Sequence, residues 1–217
     1  MASIRATATK SAFPETQAGG RTAGEIFGMD PPSNTRGRLI AAALDLFYTY
    51  GFHAVGLDQV LRTVGISKQA FYHHFESKDA LTIEVVQQQH KHEIAAFFDA
   101  VQQRTREPRA MLTALFDVMD AWFNQPKYEG CLFLNACVEF PSASDPVHQA
   151  AAGHYVDAEA ALRDTAEAAG AEDPAALAKR LVLLIEGAFV YRLIANDHSA
   201  ARHARALAEL AVAEACD

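Results

Sequence analysis

The stretch that most restricts what this chain can fold into runs from Gly56 to Ser77, GLDQVLRTVGISKQAFYHHFES. Leu57, Val60, Leu61 and Val64 recur at helical spacing, Gly65 breaks the pattern, and Ser67 is placed to cap a second helix. The spacing predicts two short helices joined by a tight turn. In the second, Ala70, Phe71 and Phe75 share one face, while Lys68, Gln69, Tyr72 and His73 point away with their polar tips free. A small helix that buries its aromatic residues and offers amide, phenol, imidazole and ammonium groups outward suits a nucleic-acid groove.

Charge distribution carries that idea further than total charge does. The net charge of −8 argues at first against a polyanionic partner. Residues 1–33, however, hold three positive and three negative side chains, and residues 34–93 hold six of each. The whole acidic excess therefore lies after Glu93, as expected of a DNA-reading module on a body that stays off the DNA.

At 217 residues, half of them hydrophobic, the chain can bury one large core or two small ones. No apolar run approaches the ~20 residues of a membrane span, and no signal-peptide pattern opens the chain, so a soluble cytoplasmic protein without a membrane partner is expected. Cys131, Cys137 and Cys216 are too few and too odd in number for a disulfide framework and are expected as reduced thiols.

Residues 1–33, rich in Thr, Ser, Ala, Gly and Pro, read as a flexible N-terminal arm, with Arg5, Lys10 and Arg21 available to lie along DNA and a solvated tail as the plainer alternative. From Asn34, the residues Leu39, Ile40, Ala43, Leu44 and Phe47 mark a first helix of about four turns stopped at Gly51. With the two short helices it makes a trihelical unit over residues 34–80. Ser77 caps a long fourth helix running through Leu81, Val85, Ile94, Phe97, Phe98 and Val101 and ending before Pro108. A fifth helix carries Leu112 to Phe123 and stops at Pro126. Cys131 to Phe140 is short and apolar; periodicity alone allows a strand, and its helical surroundings favour a short buried helix. Asp145-Pro146 and Asp173-Pro174 open a seventh and an eighth helix, and a ninth runs from about Ser199 to Ala215. The expected architecture is all-α, with a helical body over residues 81–217.

Gly51-Phe52, Gly65-Ile66-Ser67-Lys68, Phe71-Tyr72-His73-His74-Phe75 and Ser77-Lys78-Asp79-Ala80-Leu81 together resemble the DNA-binding domain of the tetracycline-repressor family. The resemblance is strong over about 60 residues and architectural beyond them. It implies a homodimeric transcriptional regulator, usually a repressor released from its operator by a small molecule. At Gly56 the chain departs from the family, which often has a hydroxyl residue at the start of the second helix.

Physical roles can be set beside that resemblance. The helix starts at Gly56, Ser67 and Ser77 direct backbone N–H groups toward phosphate, and Lys68 and Lys78 add full charges. Gln69 suits a base edge or a phosphate, and Tyr72 and His73 suit contacts along the groove. Arg36 and Arg38 are placed to reach phosphates or a minor groove, with Arg62 and Thr63 secondary. Tyr72 covering the trihelical core is the rival reading for that residue, and His74 is expected to pack inward.

One trihelical unit presents too little contact for strong specificity, so two copies on a palindromic double-stranded operator are expected. Leu181, Leu184, Ile185, Ala188 and Phe189, with Leu207, Leu210 and Ala211, are the expected dimer seam, packed as a four-helix bundle. An intramolecular core is the alternative. For a small-molecule pocket the candidates are Phe97, Phe98, Phe116, Met119, Trp122, Phe123, Leu132, Phe133, Tyr155 and Tyr191, interspersed with Cys131, Asn135, Glu139, His154, Glu186 and Arg192. Aromatic residues at helical spacing also make plain core, and that alternative stays open.

Cys131 follows Gly130 at an expected helix start, where the local field favours thiolate. The resemblance implies a second possibility there, a cysteine that senses electrophiles or oxidants, against the commoner buried thiol. Cys131 and Cys137 stand six residues apart and do not share a helical face. His90 and His92 point about 200° apart, so with Glu93 they read as a solvated face and not as a metal site. His148 and His154 form no ligand spacing. No nucleophile, base and orienting acid, phosphate loop or metal motif can be assembled, so no enzyme, cofactor or metal is expected. A helical protein-interaction module is the rival from a different class.

Overall fold

The structure, a computed structural model, describes residues 34–126, 128 and 130–216. The expected arm over residues 1–33, with Arg5, Lys10 and Arg21, lies outside them. Among the described residues there are nine helices and no strand: α1 Thr35–Tyr50, α2 Leu57–Val64, α3 Lys68–Tyr72, α4 Lys78–Arg104, α5 Pro108–Phe123, α6 Leu132–Glu139, α7 Pro146–Ala168, α8 Pro174–Ala195 and α9 Ala200–Ala215. The ambiguous apolar stretch is thus a helix, α6.

Local chemistry sets most of these boundaries. Asn34 Oδ1, Ser67 Oγ and Ser77 Oγ accept the N–H groups of Gly37, Ala70 and Ala80 at 2.7, 3.1 and 3.0 Å, satisfying donors that a helix start leaves open. Glu107, Asp145 and Asp173 cap α5, α7 and α8, each with proline in the first turn. Gly65 closes α2 in the left-handed region at φ 75°, the conformation a glycine enters without a Cβ penalty.

Helices α1 to α3 wrap Leu39, Phe47, Phe52, Val60 and Phe71, all fully buried. Phe71 is the pin of this head: it stacks on Phe75 with ring centroids 5.8 Å apart, and Phe71→Ala is expected to cost ~3–5 kcal/mol. Helix α4 spans 27 residues, about 40 Å at ~1.5 Å per residue. Its first turns pack on α1, where Glu84 meets Arg36 and Gln89 meets Tyr48, and it goes on to pack against α5 and α7. The boundary drawn from sequence at residues 80/81 falls inside α4. Phe140, just beyond α6, touches the rings of Phe52 and His53 at 5.8 and 4.6 Å, so head and body also meet at the turn after α1.

Candidate nucleic-acid interface and ligand cavity

Lys68, Gln69, Tyr72 and His73 are all exposed on the outer side of α3, with Phe71 buried behind them. Tyr72 is 51% exposed and meets Phe71 edge-on at 5.4 Å, so it does not cover the core. His74 is exposed as well, contrary to its expected inward packing. The reason is that α3 ends at Tyr72, so helical spacing no longer governs where His74 points.

Arg36, Arg38 and Lys78 are held by the protein itself, while Arg62 is exposed near the end of α2. The guanidinium of Arg36 pairs with Glu84 at 3.2 Å and lies 5.0 Å from the Phe75 ring, and its hydrogen bond keeps the Glu84 carboxyl below the ordinary value. Arg38 Nη2 donates to the Val64 carbonyl at 2.6 Å, satisfying an open acceptor at the end of α2. Lys78 Nζ donates to the Phe52 carbonyl at 2.6 Å, and burial lowers its pKa. Each of these three expected phosphate anchors has an intramolecular partner far away in sequence and braces the head. Lys68 makes no bond within the chain among the described residues. Gly56 has an ordinary φ of −82°, caps α2 with no side-chain bond, and has open space where a Cβ would stand.

In the body, α4, α5, α7 and α8, with Cys131 at the start of α6, line a cavity of about 100 Å³. Of the pocket residues expected from sequence, Phe97, Phe98, Met119, Trp122, Cys131, His154, Tyr155 and Glu186 line it. Phe116, Phe123, Leu132 and Phe133 are buried in the surrounding core instead, and Asn135 lies half-buried on α6 outside the lining. Tyr191 is exposed, because five residues turn it about 140° around α8 from Glu186. Glu139 sits at the far end of α6, about 12 Å from Cys131 at helical rise, and serves the α1–α2 turn. Arg192 is turned away from the cavity, donating to the Phe123 carbonyl at 3.3 Å and to Asn196 Oδ1 at 2.7 Å.

Glu93 was the residue least expected here. Read as part of a solvated face, it is only 6% exposed, lines the cavity and accepts from Gln89 Nε2 at 3.1 Å. Its signal lay in the apolar stripe Glu93, Phe97, Val101, where a carboxylate takes a core position at i, i+4, i+8. Burial, with Glu186 adding to it, raises the Glu93 carboxyl to about 7, and burial raises Glu186 to about 7. His90 is not solvated either: its Nε2 lies 3.1 Å from Asp157 and its Nδ1 lies 3.3 Å from His154 Nδ1. Burial and the neighbouring His90 push the His154 imidazole down to about 3, and its ring stacks on Phe133 at 3.8 Å.

Residues 39–85 match the family of bacterial regulatory proteins called the tetR family, and residues 108–208 match the tetracyclin repressor-like C-terminal domain. The chain belongs to the tetR family. Over 93 residues it is 32% identical to the HTH-type transcriptional activator FasR of Mycolicibacterium smegmatis, a match covering 42% of each chain. It thus spans about two-fifths of the length of that curated relative. A TetR-family transcriptional regulator from Streptomyces coelicolor superposes with TM-score 0.77 at 25% identity, over 84% of this chain and 96% of that one. Escherichia coli NemR in its reduced form superposes with TM-score 0.75 at 23% identity, over 81% of this chain and 95% of NemR, a likeness of fold.

Two expectations for this tetR-family chain change in the body. Cys131 caps α6, and its Sγ accepts from Leu134 N–H at 3.4 Å, but burial and the nearby Glu93 outweigh that bond and push the thiol well above its ordinary value. The thiolate expected from a helix start is therefore not favoured. Part of the seam expected on α8 is also taken up inside the chain. Leu181, Ala188 and Phe189 are buried within one protomer, Ile185 and Phe189 line the cavity, and Phe189 packs on Phe123 and Trp122 at 5.1 and 5.3 Å. Leu184 and Ala211 are half-buried, and Leu207 and Leu210 are exposed. The large apolar residues left exposed on α8 are Leu183 (68% exposed), Val190, Tyr191, Leu193 and Ile194 (73% exposed), which sequence spacing missed because apolar residues encircle this helix.

Proposed function

We propose that the protein is a homodimeric, ligand-responsive, DNA-binding transcriptional regulator without enzymatic activity, acting as a repressor that leaves a palindromic operator when a small molecule fills the cavity. The observation that carries the reading is the exposed set Lys68, Gln69, Tyr72 and His73 on a helix anchored by the buried Phe71. Lys68 supplies charge to the phosphates, and Gln69, Tyr72 and His73 read the groove. The head comprises α1 to α3 with the start of α4, and the body comprises the rest. Leu183, Val190, Tyr191 and Ile194 on α8 and Leu207 and Leu210 on α9, two helices packed on each other, leave exposed apolar side chains suited to a second copy in a four-helix seam. No helix among the described residues is long and apolar enough to cross a membrane. Coupling requires only that the ligand prefer one spacing of the two heads over the other.

The test is fluorescence anisotropy with DNA fragments flanking the gene, at several salt concentrations. The reading expects a sequence-specific complex whose affinity falls steeply with salt, and a loss on Lys68→Ala with a salt slope reduced by about one. Absence of any specific complex from folded protein, or binding indifferent to salt, overturns it; the latter outcome fits a helical protein-interaction module.

A further inference from the structure

The cavity has an unusual charge inventory for an apolar space. Its walls are Phe97, Phe98, Trp122, Tyr155 and Phe189 with aliphatic side chains between them, and its acidic groups are Glu93 and Glu186. Among the described residues no lysine or arginine lines it. Glu93 has one hydrogen-bond partner, Gln89, and Glu186 has none among the described residues. A buried carboxylate without a cation is costly, and among the described residues none supplies a cation to either group.

We propose that the cavity binds a hydrophobic organic cation, an aromatic body carrying an ammonium or pyridinium head, with the Glu93 and Glu186 carboxylates as its counter-charge. This rests on reading the cavity as the effector site. The incoming cation supplies the missing partner for both carboxylates, and aromatic rings in the walls attract positive charge where a face is offered. An anionic ligand meets two acids and no base. A neutral one leaves both acids unpaired.

The surrounding groups do not compete for this role. On α4, His90 is turned to Asp157 and His154. On α7, His154 is held neutral by burial, and burial raises the Tyr155 phenol. At the start of α6, Cys131 is held as a thiol by burial, and burial raises Tyr128 beside it. Helix α5 contributes only apolar and indole side chains, and on α8 the Arg192 guanidinium points to the Phe123 carbonyl and lies over the Tyr128 ring. With both carboxyls near 7 in the empty cavity, a permanent cation binds more tightly as pH rises toward that value and reaches a plateau above it.

Trp122 is the chain's single tryptophan and lines the cavity, so its fluorescence reports occupancy directly. Three probes share a naphthalene body and differ in head: (naphthylmethyl)trimethylammonium, naphthylmethanol and naphthylacetate. Titration of the full chain by tryptophan fluorescence and calorimetry is expected to show the ammonium binding at least about tenfold more tightly than the alcohol, with the acetate weakest. Glu186→Gln and Glu93→Gln are each expected to weaken the ammonium about tenfold and to move the alcohol by less than about twofold. Equal binding of the three probes, no binding of the ammonium, or ammonium affinity unmoved in Glu186→Gln, whose half-exposed side chain is the safer one for folding, overturns the proposal. Operator affinity measured on the same samples separates the two readings. A specific DNA complex with no preference for the ammonium rejects the cation site alone. Ammonium binding without any operator complex upholds the cation site and rejects the regulator.

Discussion

Glu139, in the last turn of α6, accepts the backbone N–H of His53 at 2.7 Å and lies 3.0 Å from that residue's ring Nδ1. The same carboxylate accepts the N–H of Phe52 at 2.9 Å, so one acidic side chain of the body satisfies two donors in the turn that follows α1. Burial raises this carboxyl, but the bonds from His53 and Phe52 together outweigh it and hold the group below its ordinary value.

Glu139→Ala is therefore expected to destabilise the protein by about 1.5–3 kcal/mol, the range for hydrogen bonds to a charged partner. Because the folded-state value is depressed, the contribution is fully present above the unfolded value near 4.5 and is lost as pH falls through the folded one. Urea melts of the wild type and variant are expected to converge toward acid pH.

Lys68→Ala and Lys78→Ala are expected to separate. Lys68 is exposed and its removal should leave thermal stability within about 0.5 kcal/mol while weakening operator binding. Lys78 holds the Phe52 carbonyl, and its removal should cost about 1 kcal/mol of stability. Circular-dichroism melts beside DNA titrations distinguish them.

Gly56→Ser is expected to stabilise the protein by a few tenths of a kcal/mol, since the backbone there already has a cap conformation and the space for a side chain is open. The hydroxyl also stands where the chain now offers phosphate only backbone donors, so tighter operator binding should accompany the gain, read in the same anisotropy assay.

Glu93 makes stability fall as pH rises. Its folded-state value of about 7 lies above the unfolded 4.5, so the folded protein holds the extra proton between them. Stability is greatest below the unfolded value and declines through the folded one, by up to about 3 kcal/mol for a group this buried. In denaturant melts of ligand-free protein between pH 5 and pH 8, Glu93→Gln should flatten the decline.

What could be read in the sequence was what neighbouring residues decide. Ser67 and Ser77, Asp145-Pro146 and Asp173-Pro174 each signal a helix start by themselves, and each start falls where its own residues put it. The outward set on α3 follows from Phe71 being the only residue of that short helix that is buried. Illegible were the roles fixed by remote partners. Arg38 and Lys78 reach carbonyls 26 residues away, and Arg36 reaches a carboxylate 48 residues away, distances at which no spacing rule operates. Helix α8 was ambiguous for another reason: leucine, valine, isoleucine and phenylalanine surround it, so the cavity side and the open side look alike until α5 and α7 are in place.

The long α4 has a consequence for how the molecule comes apart. Val85 and Val86 are buried, Gln89 Nε2 lies 3.5 Å from the Tyr48 hydroxyl, and the buried apolar residues from Leu39 to Val212 form one continuous cluster. The core of the reading head is thus continuous with that of the body. Heat or denaturant should melt head and body in a single cooperative transition, and a protease cut early in α4 should release an unfolded peptide, not a working DNA-binding fragment.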